Sequence, residues 1–189
     1  MGSHKFKCIS RRTVIENLRF EICLDTLEAE TGEKVDDFLI VKPKVLDQNK
    51  ISGICILPEV GGRIGLMEGY RHQFDEFVWQ APAGFAEPDE EASVTACREL
   101  EEETGYICGH DAVISLGSFM PDAGLIEARV ALFLARNCRL LPDGGGLHRE
   151  PGMGNLKFFD KKELSELVES TQNIGSATAI AIYRYLALS

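Results

Sequence analysis

Between Gly84 and Tyr106 the chain reads GFAEPDEEASVTACRELEEETGY, and eight of its thirty acidic residues fall there: Glu87, Asp89, Glu90, Glu91, Glu99, Glu101, Glu102 and Glu103. Pro88 to Thr104 reads as one helix, and Gly105 suits the left-handed residue that ends it. On a helical wheel Glu99, Glu102 and Glu103 span about 100°. Ala92, Ala96, Cys97 and Leu100 form the adjoining apolar stripe, so the carboxylates sit at the rim of a core. Two carboxylates about 6 Å apart repel by roughly 3 kcal/mol at an effective dielectric of 20. Acids near a helix C-terminus also oppose its dipole. A solvated acidic face is the ordinary reading of such a cluster. A hard divalent cation, which takes several oxygen ligands, is the alternative that relieves the repulsion.

The spacing favours the second reading. Gly84, Glu90, Arg98, Glu99, Leu100, Glu102, Glu103 and Gly105 follow the frame G-x5-E-x7-R-E-U-x-E-E-x-G-U, with U a bulky apolar residue. This frame resembles the Nudix box, the signature of the Nudix hydrolases. Tyr106 departs from it, standing where the family usually has an aliphatic residue. The resemblance implies hydrolysis of a nucleoside diphosphate linked to another group, by attack of water on one phosphorus of the pyrophosphate. It implies Mg2+ as the cofactor, with Mn2+ as an alternative. Glu99 and Glu103 stand as principal ligands, with Glu102 and the carbonyl of Ala83 beside them. Arg98 is expected to orient these glutamates and Glu90 to support the loop, a bracing role and a direct one both staying open.

Other segments resemble ADP-ribose pyrophosphatases and related nucleotide-sugar diphosphatases. Trp79-Gln-Ala-Pro-Ala-Gly84 resembles their approach to the box, with Gln80 in place of a glutamate. Gly69-Tyr70-Arg71 resembles a segment whose arginine meets the substrate diphosphate. Pro121, sixteen residues past Gly105, matches a proline that marks ADP-ribose hydrolysing members. Glu127 matches a loop glutamate near the metals. The base is a choice among Glu150, Glu102 and Glu127. Phe20, Phe74 and Tyr70 are candidates to stack on a base or ribose, with burial in the core as the competing reading. His72 and His148 lack metal-ligand spacing and read as surface or structural histidines. ADP-ribose or a similar nucleotide sugar is the leading substrate. GDP-mannose, NADH or a dinucleotide stays open, as does a binding module without turnover.

Bulk composition bounds these readings. A content of 44% hydrophobic and 26% charged residues is that of a soluble globular chain, and 189 residues can bury a proper core. A net charge of −10 argues against a nucleic-acid polymer or an anionic membrane as partner. The six cysteines form no C-x-x-C pair, which fits reduced thiols in a cytoplasmic protein.

The elements that must position the acidic helix follow from alternation and turn residues. Phe20, Ile22 and Leu24 alternate with Glu21, Cys23 and Asp25 as a half-buried strand, and residues 37–42 form a second. Residues 1–47 thus read as a small antiparallel sheet with too little core to stand alone. In relatives this sheet is exchanged across a two-fold homodimer and borders the nucleotide pocket, which the resemblance implies here too. Residues 48–189 read as the Nudix domain. Its strands are expected at 52–57, 64–70, 77–79, 112–119, 129–135 and 156–159. Residues 141–155 form a long glycine-rich loop. Asp160 and Ser176 cap two helices, the last with Ala179, Ile182, Tyr183 and Leu186 inward. Together these give an α/β/α sandwich around a mixed sheet, with the small N-terminal sheet appended.

Overall fold

The computed structural model describes residues 5–142 and 152–188. Three antiparallel strands come first: β1 (Phe6–Glu16), β2 (Phe20–Ala29) and β3 (Lys34–Pro43), in the order β1-β2-β3. Next come β4 (Ile51–Val60), β5 (Arg63–Arg71), β6 (Glu76–Gln80) and β7 (Ala83–Phe85). Helix α1 (Ala92–Thr104) leads to β8 (Tyr106–Ile107), β9 (Val113–Phe119), β10 (Arg129–Ala135) and β11 (Arg139–Leu140). The short β12 (Lys157–Phe159) precedes α2 (Lys161–Ser170) and α3 (Ser176–Leu186).

The main sheet runs β12-β5-β4-β10-β9, with β6 on β5 and β7 on β4. It is mixed, because β10 lies parallel to β4 while the other pairs are antiparallel. Its central strands are apolar on both sides, as a covered sheet requires. Alternate residues face opposite layers. Ile54, Ile56, Ala131 and Phe133 pack with Ala96 and Leu100 of α1. Cys55, Leu57, Leu132 and Leu134 pack with Leu164, Ile182 and Tyr185 of α2 and α3. The result is the expected α/β/α sandwich.

Several expectations are corrected. Helix α1 starts at Ala92, not Pro88, because Asp89 takes φ 61° and Glu91 is extended at ψ 134°. Its C-terminal end is as expected, with Gly105 at φ 73° donating its N–H to Glu101. The buried face of α1 is Thr95, Ala96, Leu100 and Thr104, and Cys97 is only half-buried. In the last helix Tyr185 is buried and Tyr183 exposed, since Thr178, Ala181, Ile182 and Tyr185 share the inner stripe. Tyr70 and Phe74 are exposed, on and just beyond the end of β5, and so do not belong to the core. The loop after Leu141 does not run free to Asn155. Tyr70 donates to the carbonyl of Gly152, Gly154 donates to that of Glu68, and Met153 bridges Gly69, so this end is docked on β5.

The N-terminal sheet has three strands, and the long β1 adds to the two expected. On β2 the fully buried residues are Cys23, Asp25 and Ala29, not Phe20, Ile22 and Leu24, which are half-covered. Asp25 can be buried because Arg11 grips it with two hydrogen bonds of 2.7 Å. The sheet meets the rest of the chain through its edge. Val41 donates to Leu125, Glu127 donates back to Val41, and Arg11 reaches Glu127 at 2.7 Å.

Candidate active site

The acidic cluster is assembled where β7 meets α1. Pairing of Ala83, Gly84 and Phe85 with Cys55, Ile54 and Gly53 fixes the backbone just before the helix. Two glycines make the joint close enough. A Cβ on Gly53 would lie 2.6 Å from the carbonyl oxygen of Gly84, and one on Gly84 would lie 2.1 Å from the carboxyl carbon of Glu99. Neither position can hold a side chain without displacement.

Arg98 sits inside the cluster. Its Nε and Nη2 each donate to Glu90 at 3.1 Å, and its Nη1 donates to Glu99 at 2.8 Å and to Glu102 at 3.2 Å. Nη2 also reaches the carbonyl of Phe85 at 3.3 Å. One guanidinium therefore spans three carboxylates and ties the helix to the loop before it. Glu90 is held further by the Thr95 hydroxyl at 2.9 Å and by the Glu87 N–H at 3.3 Å. Arg98 keeps the Glu90 carboxyl below its usual range, against the effect of burial. Burial pushes Glu99 the other way, above the usual carboxylate range, although Arg98 opposes it. Glu103 accepts the N–H of Ala83 at 3.0 Å.

Glu99, Glu102, Glu103 and the Ala83 backbone thus come together at one end of one helix. Among the described residues no three acidic, cysteine or histidine side chains converge as a formed metal cage. Two of the carboxylates turn to Arg98 and the third to the Ala83 N–H. The donor set is all oxygen, which suits a hard divalent cation rather than a thiophilic one.

The other residues singled out in the sequence lie around this joint. Arg71, at the end of β5, donates to the amide oxygen of Gln80 on β6, and the amide nitrogen of Gln80 contacts the Met153 sulfur. The sequence marks Gln80 only as a departure from a glutamate; the β5–β6 pairing sets Arg71 opposite Glu76, and Gln80 reaches Arg71 because its amide lies over Gly69, where a side chain would block it. Phe20 packs edge-on against Phe85 with ring centroids 5.6 Å apart, and Arg19 lies 5.3 Å over the same Phe85 ring. Pro121 is half-buried in the turn between β9 and β10. Glu127 accepts Arg11 at 2.7 Å and Lys50 at 2.8 Å. Burial alone would raise its pKa, but the two cations hold it below its ordinary value. Glu150 and His148 lie outside the described residues. The Arg11–Asp25–Glu127 network was missed, since nothing in the spacing of these residues announces it.

Comparison with known proteins decides the family. A profile of the NUDIX domain matches residues 49–170, well over half the chain. The chain belongs to the Nudix hydrolases. It is 29% identical to a CMP-5'-(N-acetyl-N-hydroxy-3-aminopropyl)phosphonate hydrolase of Streptomyces rubellomurinus, over 93% of this chain and 80% of that protein. It is 26% identical to an ADP-ribose pyrophosphatase of Bacillus subtilis, over 100% of this chain and 96% of that one. A crystal structure of an ADP compounds hydrolase superposes with a TM-score of 0.79 at 16% identity, over 98% of this chain and 94% of that chain, which bears out the fold. As a Nudix hydrolase the protein is an enzyme of pyrophosphate hydrolysis on small nucleotide substrates, in a family generally dependent on divalent metal.

Proposed function

We propose that this Nudix hydrolase splits the pyrophosphate of ADP-ribose or a closely related nucleotide sugar into a nucleoside monophosphate and a sugar phosphate. The observation that carries the reading is the gathering of Glu99, Glu102 and Glu103 around Ala83 and Gly84, braced by Arg98. The side chains of Glu99, Glu102 and Glu103 and the Ala83 carbonyl would hold Mg2+, or Mn2+ in its place. The cation supplies neutralisation of the diphosphate and a lowered pKa for the attacking water.

This chain's own residues do the rest. Arg98 acts as a positioning residue, because its donors are engaged with Glu90, Glu99, Glu102 and the Phe85 carbonyl. Arg71 clamps a diphosphate oxygen, with Gln80 holding its guanidinium in place. The water proton goes to a carboxylate. Glu127 is a poor base, since Arg11 and Lys50 stabilise its ionised form. Glu102 and Glu150 are the better candidates. Phe20, next to Phe85, and Pro121 border the nucleotide. The likeness over its full length to an ADP-ribose pyrophosphatase supports adenosine as the nucleoside, and the likeness to a CMP derivative hydrolase makes cytidine the first alternative.

The proposed assembly is a homodimer through the N-terminal sheet. Ile15 and Leu39 are 60% and 45% exposed on a face that also carries half-covered Ile22 and Val41. Such a face needs a cover, and a second copy supplies one with matching chemistry. The proposed location is the cytoplasm, in keeping with six free cysteines.

The test is a panel of nucleoside diphosphate derivatives with Mg2+ or Mn2+, read as released phosphate esters, beside Glu103→Gln. ADP-ribose is expected to give the highest kcat/KM, and Glu103→Gln to abolish turnover with the circular dichroism of the folded chain intact. A folded Glu103→Gln protein turning over at the wild-type rate overturns the ligand assignment. A CDP derivative preferred by tenfold overturns the choice of nucleoside.

A further inference from the structure

Cys108 has two cysteine neighbours behind the box helix: Cys138, which shares its apolar cluster, and Cys97 of α1, near enough to act on its thiol electrostatically. The backbone pairing separates these two neighbours. In the β8–β11 ribbon Arg139 lies opposite Ile107 and Leu140 opposite Tyr106. Leu141 donates its N–H to Gly105 at 3.0 Å, so 141 and 105 are a hydrogen-bonded pair. Antiparallel pairs alternate between hydrogen-bonded and non-hydrogen-bonded, the latter with Cα atoms about 4.5 Å apart. Counting back, 140–106 is non-bonded, 139–107 bonded, and 138–108 non-bonded. Cys138 in keeping with this sends its N–H elsewhere, to Glu59 at 2.8 Å. Cys108 and Cys138 therefore face each other at a closely spaced position, with both side chains in the apolar cluster that includes Tyr106. Disulfides take Cα separations of about 4.4–6.8 Å, and the roughly 4.5 Å typical of a non-hydrogen-bonded pair falls in that range.

We propose that Cys108 and Cys138 are a redox-responsive pair that closes to a disulfide and reopens under thiol. The oxidant is a peroxide. It oxidises one thiol of the pair to a sulfenic acid, releasing water. The sulfur of the other then attacks that sulfur and the hydroxyl leaves with a proton as a second water, so two thiols and one peroxide give one disulfide and two waters. Cys138 is only 6% exposed, and its neighbour in the cluster is the nearest thiol to resolve the sulfenic acid. The bond staples the ribbon that follows Gly105, the C-terminal stop of the box helix, and closes the chain between residues 108 and 138.

The experiment treats the whole native protein with hydrogen peroxide, alkylates the remaining thiols, and maps tryptic peptides. Cleavage at Arg98, Arg129, Arg136 and Arg139 puts Cys97, Cys108 and Cys138 on three different peptides. The expected result is loss of two free thiols per chain, a Cys108–Cys138 linked peptide, and a rise in Tm that dithiothreitol reverses. Cys138→Ser and Cys108→Ser, each checked for folding, should lose both the link and the Tm rise. A Cys97–Cys108 link, an intermolecular link through exposed Cys8, or overoxidation of Cys108 with Cys138 still alkylatable overturns the proposal. So does a link that forms without any change in Tm in the wild type.

Discussion

Replacing Arg11 by alanine removes the cation paired with Asp25, a carboxylate whose side chain is 4% exposed. Two hydrogen bonds of 2.7 Å go with it, and so does the 2.7 Å bond to Glu127. Stranding one member of a buried ion pair costs about 3–5 kcal/mol. Arg11 itself is 34% exposed, so water enters from its side and the low end, about 3 kcal/mol, is the expected loss at neutral pH. Glu127→Gln is milder, about 1 kcal/mol or less, because its partner Lys50 is 56% exposed and rehydrates. The pH dependence separates this account from simple loss of packing. Arg11 depresses the Asp25 pKa, so the pair stabilises the fold above the unfolded value of about 3.9, and that stability is lost as the pH falls through the folded value. In Arg11→Ala the carboxylate has no guanidinium, and protonating it relieves the penalty. The gap between wild type and variant should be full at neutral pH and close below about pH 4. Urea denaturation at several pH values measures it. A gap that stays constant with pH, or one under 1 kcal/mol at neutral pH, refutes the ion-pair account. The same pair of variants tests the role of Glu127. A general base contributes about 10²–10⁴ in rate, so Glu127→Gln should lower kcat by well under about 10² if Glu127 is a clamp. If the sheets are exchanged in a dimer, the loss in Arg11→Ala also becomes dependent on protein concentration.

Gly84→Ala must push the Glu99 carboxyl aside, since the new Cβ would stand 2.1 Å from its carbon. Because the carboxyl is the mobile end of its side chain, stability by thermal denaturation should change by about 1 kcal/mol or less, while on the proposed ligand role of Glu99 kcat should fall more than tenfold. Gln80→Glu pairs Arg71 with a formal negative charge and removes the donor to Met153. On the proposed role of Arg71, KM should rise several-fold with kcat nearly unchanged, and steady-state kinetics separate the two. Titration with chelator should remove activity, and Mg2+ or Mn2+ should restore it, while Ca2+ with its longer bonds supports binding with little turnover.

The acidic helix was legible because its spacing is set by one rigid element and its end by one glycine. Its start was not. Glu87 to Glu91 has the composition of a helical first turn, and only the turn at Asp89, with Glu90 drawn back to Arg98 and Thr95, shows that the chain is still a loop there. The phase of β2 was misread for a related reason. Alternation identifies two faces but not which one the rest of the chain covers, and the covered face holds an aspartate whose compensating arginine lies 14 residues earlier. Strand β1 escaped notice because its register shifts at Cys8/Ser10 and Thr13/Ile15, which breaks the period of two. The clamp on Glu127 joins residues 116 apart and leaves no trace in any local pattern.

The charge balance at the box explains why this arrangement calls for an added cation. Glu90, Glu99, Glu102 and Glu103 bring four formal negative charges, and Arg98, bonded to three of them, supplies one positive charge. Burial already strains the ionised state of Glu99. The carboxylates are nonetheless turned inward: Glu99 lies against the backbone at Gly84, where a glycine leaves it space, and Glu103 accepts the Ala83 N–H. The acids are therefore held close at a net cost that Arg98 reduces without removing. An anionic diphosphate would be repelled by what remains, and by a chain of net charge −10. Divalent cations held by the proposed ligands would reverse the sign of the site. On the proposed ligand set Arg98 has a second consequence: a shared guanidinium keeps Glu99 and Glu102 gathered, so that a cation would meet carboxylates already side by side. Arg98→Ala should accordingly weaken Mg2+ binding, read by calorimetry in the absence of substrate, by more than Arg98→Lys does, and equal losses in the two variants would show that the planar, forked geometry contributes nothing.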